Sequence, residues 1–520
     1  MSRLKNFSRN LAASYLQLGV NVIYTLVAVR LVWNWLPLPE AQLGIWALLG
    51  QMIAYITLVD LGMTAALSRL LVDHKDDRAN GAYGAMIKTA FMVSALQGVC
   101  ILAITSLAAP LLGTLMQHKI PAGQMGLFIT LMRTQGIVTA FGFSFRPLSL
   151  MLYAHQRMDI QAISDVLNMM VSLGWLVVCL MKGCGIYSYV YANILTVPVG
   201  PVFLFWNCWR LGFLPKPGES GRASWKLFTG MFDYAKDMFL LNLGFQLQMA
   251  SQAIVVFNAL GSTQTAMWAV GSKMFSLVEP LMSRPYGAAL PGLYEMTSRG
   301  ELERLKSRYR GVVLLTASWG AFLAASFILC NNLFVHVWTS GKTEWSPTND
   351  LLLGLWLLLL SHQTTHRTFV NVTKQIGGMR YVLFLEGLAF LVIGFFAGRQ
   401  WGVPGMVATS IGCTLACTYQ YSVRRSCQYF QLSFKEVAFD WVRPSLKLAA
   451  SLAVLVGVVW CLTGRLPVFW RLAVHVALAG TIGGWLFLRL GLEPGMLEEA
   501  GRRLPKRAAR LLQKVVGRRR

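Results

Sequence analysis

Charged side chains interrupt several long apolar stretches of this sequence, and they are the residues best suited to do chemistry. A charge at the centre of a membrane-spanning helix costs roughly 2.5–3.5 kcal/mol, so each is expected to face water, a partner or a ligand. Bases outnumber acids, which favours an anionic ligand, and paired Arg and Lys side chains suit a phosphate or diphosphate. The bases are Arg30, Lys88, Arg133, Arg146, Lys273, Arg284 and Arg367, and the acids are Asp60, Asp165, Glu279 and Glu386.

Five of these bases form the predicted binding site for the anion. Arg133 and Lys273 lie at similar depth in separate apolar stretches. Lys273 and Arg284 are eleven residues apart, which places them nearly on one face of a helix. We expect Arg146 and Arg367 nearer the cytoplasmic end of the same polar cavity.

The remaining charges each allow a second interpretation. Arg30 and Lys88 lie near the ends of their stretches, where long basic side chains can reach the membrane surface. Asp60 can pair with Arg69 as a structural contact. The candidates for proton or cation binding are Asp60, Asp165, Glu279 and Glu386.

Two related pentads place amide side chains in opposite halves of the chain. QLGVN at 17–21 contains Gln17 and Asn21, and NLGFQ at 242–246 contains Asn242 and Gln246. Amides in apolar helices form hydrogen bonds between helices. They also suit a ligand rich in hydroxyl groups, such as a sugar, and the sequence leaves both interpretations open.

The elements that position these residues are membrane helices. Hydrophobic residues make up 55% of the 520 residues and charged residues only 13%, whereas soluble domains contain about 25% charged residues. Repeated apolar runs predict an all-α polytopic membrane protein, because a helix satisfies its own backbone in lipid. We predict about fourteen transmembrane helices, at 11–33, 41–65, 83–110, 124–150, 158–180, 185–209, 232–258, 264–290, 310–338, 350–373, 380–398, 403–423, 443–463 and 468–490.

Basic residues between the predicted spans set their orientation. The N-terminus and the connections after even-numbered spans contain 23 Lys and Arg residues, against 5 in the other connections. Such residues concentrate in cytoplasmic loops, so both termini are predicted to be cytoplasmic. The net charge of +25 therefore reflects membrane topology rather than binding of nucleic acid. Residues 493–520 read as a basic amphipathic tail on the cytoplasmic leaflet.

The pentads begin a wider internal repeat. IWALLGQM at 45–52 corresponds to MWAVGSKM at 267–274, and GIYSYVYANI at 185–194 corresponds to GVPGMVATSI at 402–411. Internal repeats with a site at their interface are typical of secondary transporters. The predicted parts are an N-terminal six-helix lobe at 1–209, a cytoplasmic linker at 210–231, a C-terminal six-helix lobe at 232–425, two additional helices at 426–492 and the tail at 493–520.

Motifs for catalysis or metal binding are weak. GKT at 341–343 has His336 where a phosphate-binding loop needs glycine, so ATP hydrolysis by this chain is not expected. HQTTH at 362–366 has zinc-protease spacing, but Gln363 replaces the general-base Glu. The nine cysteines contain no CxxC and fall mostly in apolar runs, as packing residues do. We therefore predict a protein that is not an enzyme and needs no cofactor or metal.

The stretch LGIWALLGQMIAYITLVDLGMTAALSRLL at 43–71 resembles the O-antigen and polysaccharide flippase family of the multidrug/oligosaccharidyl-lipid/polysaccharide exporter superfamily. The residues that match the pattern of that family are Gly44, Trp46, Tyr55, Asp60, Gly62, Ala65 and Arg69. The resemblance implies two six-helix lobes around a central cavity, plus two C-terminal helices. It also implies alternating access, with export of a lipid-linked oligosaccharide across the bacterial inner membrane for lipopolysaccharide or other surface polysaccharide. Implied partners are an undecaprenyl-diphosphate-linked glycan, membrane lipids and the polysaccharide polymerase machinery.

Two other classes of protein compete with this interpretation. Within the same superfamily, a lipid II flippase also has fourteen helices, whereas a cation-coupled multidrug exporter normally has twelve and is expected to have an acidic cavity. A membrane glycosyltransferase, polymerase or ligase is expected to have a large periplasmic loop with acids. For a flippase without ATP hydrolysis, an ion gradient or consumption of the exported lipid would drive transport.

Overall fold

The structure is a computed structural model of the chain. It describes residues 2–35, 39–74, 77–78, 80–116, 124–219, 221–222, 225–373, 375–493 and 495, and within the helices not every side chain is described. The predicted tail at 493–520 therefore lies almost entirely outside the described residues. By its internal contacts the chain forms two compact units, Met1–Ala266 and Met267–Arg520.

The first unit is built from eleven helices and the start of a twelfth, counted over the described residues. Several predicted spans consist of two shorter helices in succession, such as α5 with α6 and α8 with α9. The helices are α1 Ser2–Trp35, α2 Pro39–Ile56, α3 Met63–His74, α4 Ala82–Met116, α5 Met125–Ser144, α6 Arg146–Ala154, α7 Met158–Met181, α8 Tyr187–Thr196, α9 Val199–Arg210, α10 Trp225–Met249, α11 Gln252–Leu260 and α12 Ser262–Gly271.

The second unit continues from α12 and is also helical throughout its described part. Its helices are α13 Lys273–Ser298, α14 Leu302–Trp338, α15 Pro347–Val372, α16 Met379–Thr414, α17 Gln420–Phe430, α18 Arg443–Thr463, α19 Val468–Leu478 and α20 Gly484–Leu490. Short π-helical segments lie at Leu415–Tyr419, Glu436–Asp440 and Ala479–Gly483.

The predicted all-α polytopic fold class is confirmed. Eleven segments of the described chain are long and apolar enough to span a membrane. One of them, Met379–Phe430, contains two predicted spans, separated where Gly402 takes a φ of 65° just before Pro404. The predicted spans at 264–290 and 350–373 are helical as well, as α12 with α13 and as α15. Their charged and amide side chains make these two helical regions less apolar than the other spans.

The contacts divide the chain further downstream than the predicted lobe boundary. α10 begins at Trp225, inside the predicted 210–231 linker, and α10 and α11 pack on α3 and α2. The Tyr55 hydroxyl hydrogen-bonds Ser251, and it lies 3.3 Å from the backbone oxygen of Gln246. These contacts join the helices after the linker to the first unit, which therefore extends to Ala266. A sequence repeat shows which segments are related, but it does not determine which helices pack together.

Each unit has its own packed core. In the first unit, Leu67, Tyr83 and Leu148 are among the buried residues that join α3, α4 and α6. In the second, the fully buried ring of Tyr309 stacks on Phe430, and its hydroxyl lies 2.6 Å from Nδ1 of a buried histidine on α15. Lipid is as apolar as these side chains, so close packing and hydrogen bonds, rather than burial from water, hold such helices together.

Candidate functional site

The second predicted span is interrupted beside Asp60. A 3₁₀ turn, Thr57–Asp60, ends α2, and Leu61 and Gly62 then take left-handed backbone conformations with φ of 49° and 77°. The side-chain amide of Gln97 donates to the backbone oxygen of Asp60 at 3.0 Å. Irregular backbone at membrane depth persists only where protein or water satisfies its polar groups, and here a neighbouring helix supplies the donor.

Asp60 forms an ion pair with Arg146. Nη1 of Arg146 lies 2.8 Å from Oδ1 of Asp60 and 2.6 Å from the hydroxyl of Thr64, which itself donates to the same carboxylate oxygen at 2.5 Å. The guanidinium also lies 3.7 Å from the ring centroid of Phe143. The charge of Arg146, predicted to bind an anion, is therefore already compensated by a carboxylate. Arg69, the other partner considered for Asp60, has a side chain outside the described residues.

A cavity of about 420 Å³ lies inside the first unit, next to this ion pair. It is bordered by α1 and by α5 to α9. Since a water molecule fills about 30 Å³ of liquid, the volume accommodates several waters or a small polar group. The polar residues of its lining include Arg146, Gln161, Ser164, Asp165, Asn168 and Asn193.

Asp165 accepts hydrogen bonds from two amides and has no basic partner in the described part of the chain. Nε2 of Gln17 lies 2.6 Å from Oδ2 of Asp165, and Nε2 of Gln161 lies 2.9 Å from Oδ1. Three further oxygens, Oε1 of Gln161, Oγ of Ser164 and Oδ1 of Asn168, are buried without a hydrogen-bond partner among the described residues. A carboxylate surrounded by unpaired oxygens suits a proton or a hard cation, which prefers oxygen ligands.

The two amide pentads differ in what their side chains contact. On α1, Gln17 binds Asp165, and Asn21 accepts a long hydrogen bond of 3.5 Å from the threonine one turn later. On α10, Asn242 is exposed, and neither Asn242 nor Gln246 has a side-chain hydrogen bond among the described residues. The contact of Gln246 with Tyr55 is through its backbone oxygen. The sequence allowed either an interhelical hydrogen bond or a contact with a sugar for these amides. For Gln17, the interhelical hydrogen bond is present.

The predicted span at 264–290 is also interrupted, but only at one residue, whose N–H still donates to the backbone oxygen four residues earlier at 2.9 Å. α12 ends at Gly271 and α13 begins at Lys273, with Ser272 between them. The amide of Asn331 on α14 donates to the backbone oxygen of Gly271 at 2.9 Å, and the indole of Trp345 packs against the Cα of Gly271 so closely that a Cβ would overlap the ring. This interruption is therefore held from α14 and from the loop that follows it.

Asp350 completes the support of this interruption. Its Oδ1 accepts from Nδ2 of Asn331 and from Nε1 of Trp345, both at 2.6 Å, and all three residues are buried. Sequence reasoning missed these residues. The available signal was an Asn and an Asp at the facing ends of two consecutive apolar runs, with a Trp in the short loop between them.

Lys273, the first residue after the interruption, has no ion pair and no hydrogen bond in the described part of the chain, although its side chain is only partly exposed. An ammonium group withdrawn from water is costly unless an opposite charge or water reaches it. Lys273 is thus the basic residue whose surroundings best fit a site for an anion from outside the chain.

The other predicted bases have different surroundings. Arg133 is exposed on α5 and has no partner among the described residues. Arg367 lies within electrostatic range of Glu279 on α13, so its charge is partly compensated. The side chain of Arg284 lies outside the described residues.

Glu386 lies in a closed, fully buried environment. Its oxygens accept from the hydroxyl of Thr414 at 3.1 Å, from the backbone N–H of Thr418 at 2.9 Å and from the Thr418 hydroxyl. The π-helical segment Leu415–Tyr419 presents these donors together. This arrangement joins α16 to the π-helical segment that follows it, and it leaves little room for another ligand.

The fold is that of transporters of the MOP superfamily, which covers multidrug, oligosaccharidyl-lipid and polysaccharide exporters. The lipid II flippase MurJ in an inward closed conformation matches with a TM-score of 0.65 and 11% identity over 92% of this chain and 98% of that one. A MOP superfamily transporter from Pyrococcus furiosus matches with a TM-score of 0.62 and 14% identity over 84% and 96%. An inward-facing multidrug resistance MATE family transporter gives 0.60 and 14% over 82% and 99%.

Within this fold, the sequence identifies the family. Residues 38–347, more than half of the chain, match the family model described as polysaccharide biosynthesis protein, and the chain belongs to that family. No curated protein matches its sequence. The family resemblance expected from residues 43–71 is confirmed.

Proposed function

We propose that this protein is a flippase, not an enzyme, that moves a lipid-diphosphate-linked oligosaccharide from the cytoplasmic to the periplasmic leaflet by alternating access. Membership in the polysaccharide biosynthesis family supports a glycan cargo. The fold shared with transporters, and the interrupted helices within it, support movement of a ligand through the membrane. The expected cargo is an undecaprenyl-diphosphate-linked glycan destined for surface polysaccharide such as O-antigen.

The observation that carries this proposal is Lys273. It follows the one-residue interruption between α12 and α13, its side chain is only partly exposed, and no acid of the described chain compensates it. A diphosphate would supply the missing negative charge, and such charge-assisted contacts are among the stronger hydrogen bonds. Arg133, Arg284 and Arg367 remain predicted further contacts of the same anion.

The proposed energy source is an ion gradient acting through Asp165. Among the four acids predicted as proton or cation sites, Asp60 is paired with Arg146, Glu386 is surrounded by donors, and Glu279 lies near a base. Within the described part of the chain, Asp165 has amide donors only, and it faces a polar cavity lined by oxygens that lack a hydrogen-bond partner there. No phosphate-binding loop occurs in the sequence, so transport is expected to continue without ATP.

The proposed location is the bacterial inner membrane, with both termini in the cytoplasm and polymerase machinery on the periplasmic side as a further partner. The split of basic residues between the loops supports this orientation. A periplasmic reporter fused after residue 220 should be inactive and a cytoplasmic reporter active; the reverse result would overturn the topology.

The function is tested with purified protein in liposomes that contain a fluorescent undecaprenyl-diphosphate-linked oligosaccharide. Transfer between leaflets is followed with a membrane-impermeant quencher, with and without an ion gradient and with and without ATP. We expect protein-dependent transfer that responds to the gradient and not to ATP. Transfer of lipid II alone would identify the protein as a lipid II flippase, and export of cationic dyes alone would identify a multidrug exporter; either result would overturn the proposed cargo.

A further inference from the structure

A second polar cavity lies in the second unit, where α18 begins and α20 ends. Its volume is about 500 Å³, and its lining residues are Asp440, Arg443, Pro444, Lys447 and Leu490. The loop before α18 contains several of the basic residues that assign it to the cytoplasmic side. The cavity therefore opens at the predicted boundary between the membrane and the cytoplasm.

The charges that surround this cavity are not paired with one another. Arg443 and Lys447 are exposed, four residues apart on α18, and neither side chain has an ion pair or hydrogen bond in the described part of the chain. Asp440 is also exposed and lies in no ion pair among the described residues. By contrast, the nearby base Arg310 reaches Glu493 at 3.5 Å. Like charges four residues apart on a helix repel each other, so an anion between them would be stabilising.

The helix that presents the two cations is firmly held. The hydroxyl of Ser445, between Arg443 and Lys447 in sequence, lies 2.9 Å from the hydroxyl of Ser318 on α14. Leu448 is fully buried against the same helix. Because these neighbours are buried, Arg443 and Lys447 lie on the opposite, exposed face of α18, where both line the cavity.

Apolar side chains line the cavity or lie next to its lining residues in sequence. Leu490 forms part of the cavity wall, and the chain neighbours of Lys447 and Asp440, Leu446 and Phe439, are 52% and 58% exposed. Basic pockets between membrane helices on the cytoplasmic side are known to bind lipid head groups. Cations, a cavity and an adjoining apolar surface together match a molecule with a phosphate at one end and acyl chains at the other.

We propose that this cavity binds the head group of a phospholipid, with its phosphate between Arg443 and Lys447. Asp440 adds a negative charge at the rim, which favours a head group that also has a protonated amine. The site therefore prefers phosphatidylethanolamine over an anionic lipid without an amine. This inference concerns membrane lipid rather than transported cargo, so it does not depend on the proposed function.

The site is tested by native mass spectrometry of the full-length protein with phosphatidylethanolamine, phosphatidylglycerol and phosphatidylcholine, and with inorganic phosphate as a separate arm. We expect tightest binding of phosphatidylethanolamine, and binding weaker by at least roughly tenfold in the Arg443→Ala/Lys447→Ala variant, because both charges that would hold the phosphate are removed. Asp440→Asn should remove the preference for phosphatidylethanolamine over phosphatidylglycerol while binding of lipid phosphate persists.

The matched control is Arg424→Ala/Lys435→Ala, which removes two exposed bases of the same region that do not line the cavity. It should bind lipid as the unchanged protein does. Equal loss in both double variants, or equal affinity for all three lipids in the unchanged protein, would overturn the proposal. Binding of inorganic phosphate as tight as that of lipid would identify a site for free phosphate instead.

Discussion

A membrane helix is interrupted in each of the two units, and the charged residues beside the two interruptions have opposite surroundings. Beside the interruption after α2, Asp60 is paired with Arg146 and further satisfied by Thr64. Beside the interruption between α12 and α13, the support comes from Asn331 and its network, and Lys273 has no partner among the described residues.

This difference separates a structural charge from one available to a ligand. Arg146 lies 2.8 Å from the carboxylate of Asp60, which compensates its charge within the protein. An anion could therefore bind Arg146 only by competing with Asp60. An anion could bind Lys273 without displacing another group, because no carboxylate of the described chain pairs with its ammonium group. The comparison therefore predicts loss of stability from changes at the first interruption and loss of transport from changes at the second.

The largest effect on stability is expected for Arg146→Ala. Removing one partner of a buried ion pair costs about 3–5 kcal/mol, and the partial exposure of this pair places the loss toward the lower end. Thermal unfolding in detergent measures it, with Arg133→Ala as the control because that exposed arginine of α5 has no partner among the described residues. If both variants lose the same stability, or if Asp60→Ala and Arg146→Ala are additive in the double variant, the pair is not a structural contact.

A smaller stability effect, with a clear transport effect, is expected for Asn331→Ala. The change removes the donor to Gly271 and leaves Asp350 with one donor fewer, at a cost of about 1–3 kcal/mol. Transport should fall although Lys273 is unchanged, since the interruption that positions it is no longer held. Ser326→Ala on the same helix removes only a bond within α14, to the backbone oxygen of Phe322 at 2.8 Å, and should transport normally. Normal transport by Asn331→Ala in folded protein would show that the network does not position Lys273.

The smallest stability effect is expected for Asp165→Asn, below about 1 kcal/mol, because the shape is kept and an amide oxygen can still accept one hydrogen bond. The dependence of the transport rate on the ion gradient should disappear. The measurement is the liposome assay at matched protein level, with the exposed Asp77→Asn as control. An unchanged response to the gradient would remove Asp165 from the energy-coupling step.

The sequence predicted the class of fold and the family because both depend on features spread along the chain. Apolar length and loop charge identify membrane helices regardless of how they pack, and residues 43–71 contain the family pattern. The partner of Asp60 was not predictable in the same way. Arg69 is close in sequence, whereas Arg146 reaches Asp60 only after α3, α4 and α5 have packed.

The same limitation applies to the support of Lys273. Nothing in the sequence connects Asn331, Trp345 and Asp350 with Lys273. Only the fold places Asn331 and Trp345 against Gly271, with Asp350 hydrogen-bonded to both of them. The position of Lys273 inside a predicted span was visible in the sequence. That Lys273 has no partner in the described chain could be seen only once its packed neighbours were known.

Binding of the diphosphate by Lys273 is tested most directly by comparing Lys273→Ala and Lys273→Arg in the liposome assay with the lipid-diphosphate-linked oligosaccharide. Losing one charge-assisted contact to a phosphate should reduce transfer by roughly tenfold or more, and the arginine variant should keep most of the rate because the charge persists. Lys342→Ala, at an exposed loop lysine of the same unit, is the control. If the alanine variant is folded and transfers the glycan lipid at the unchanged rate, Lys273 does not bind the diphosphate during transport.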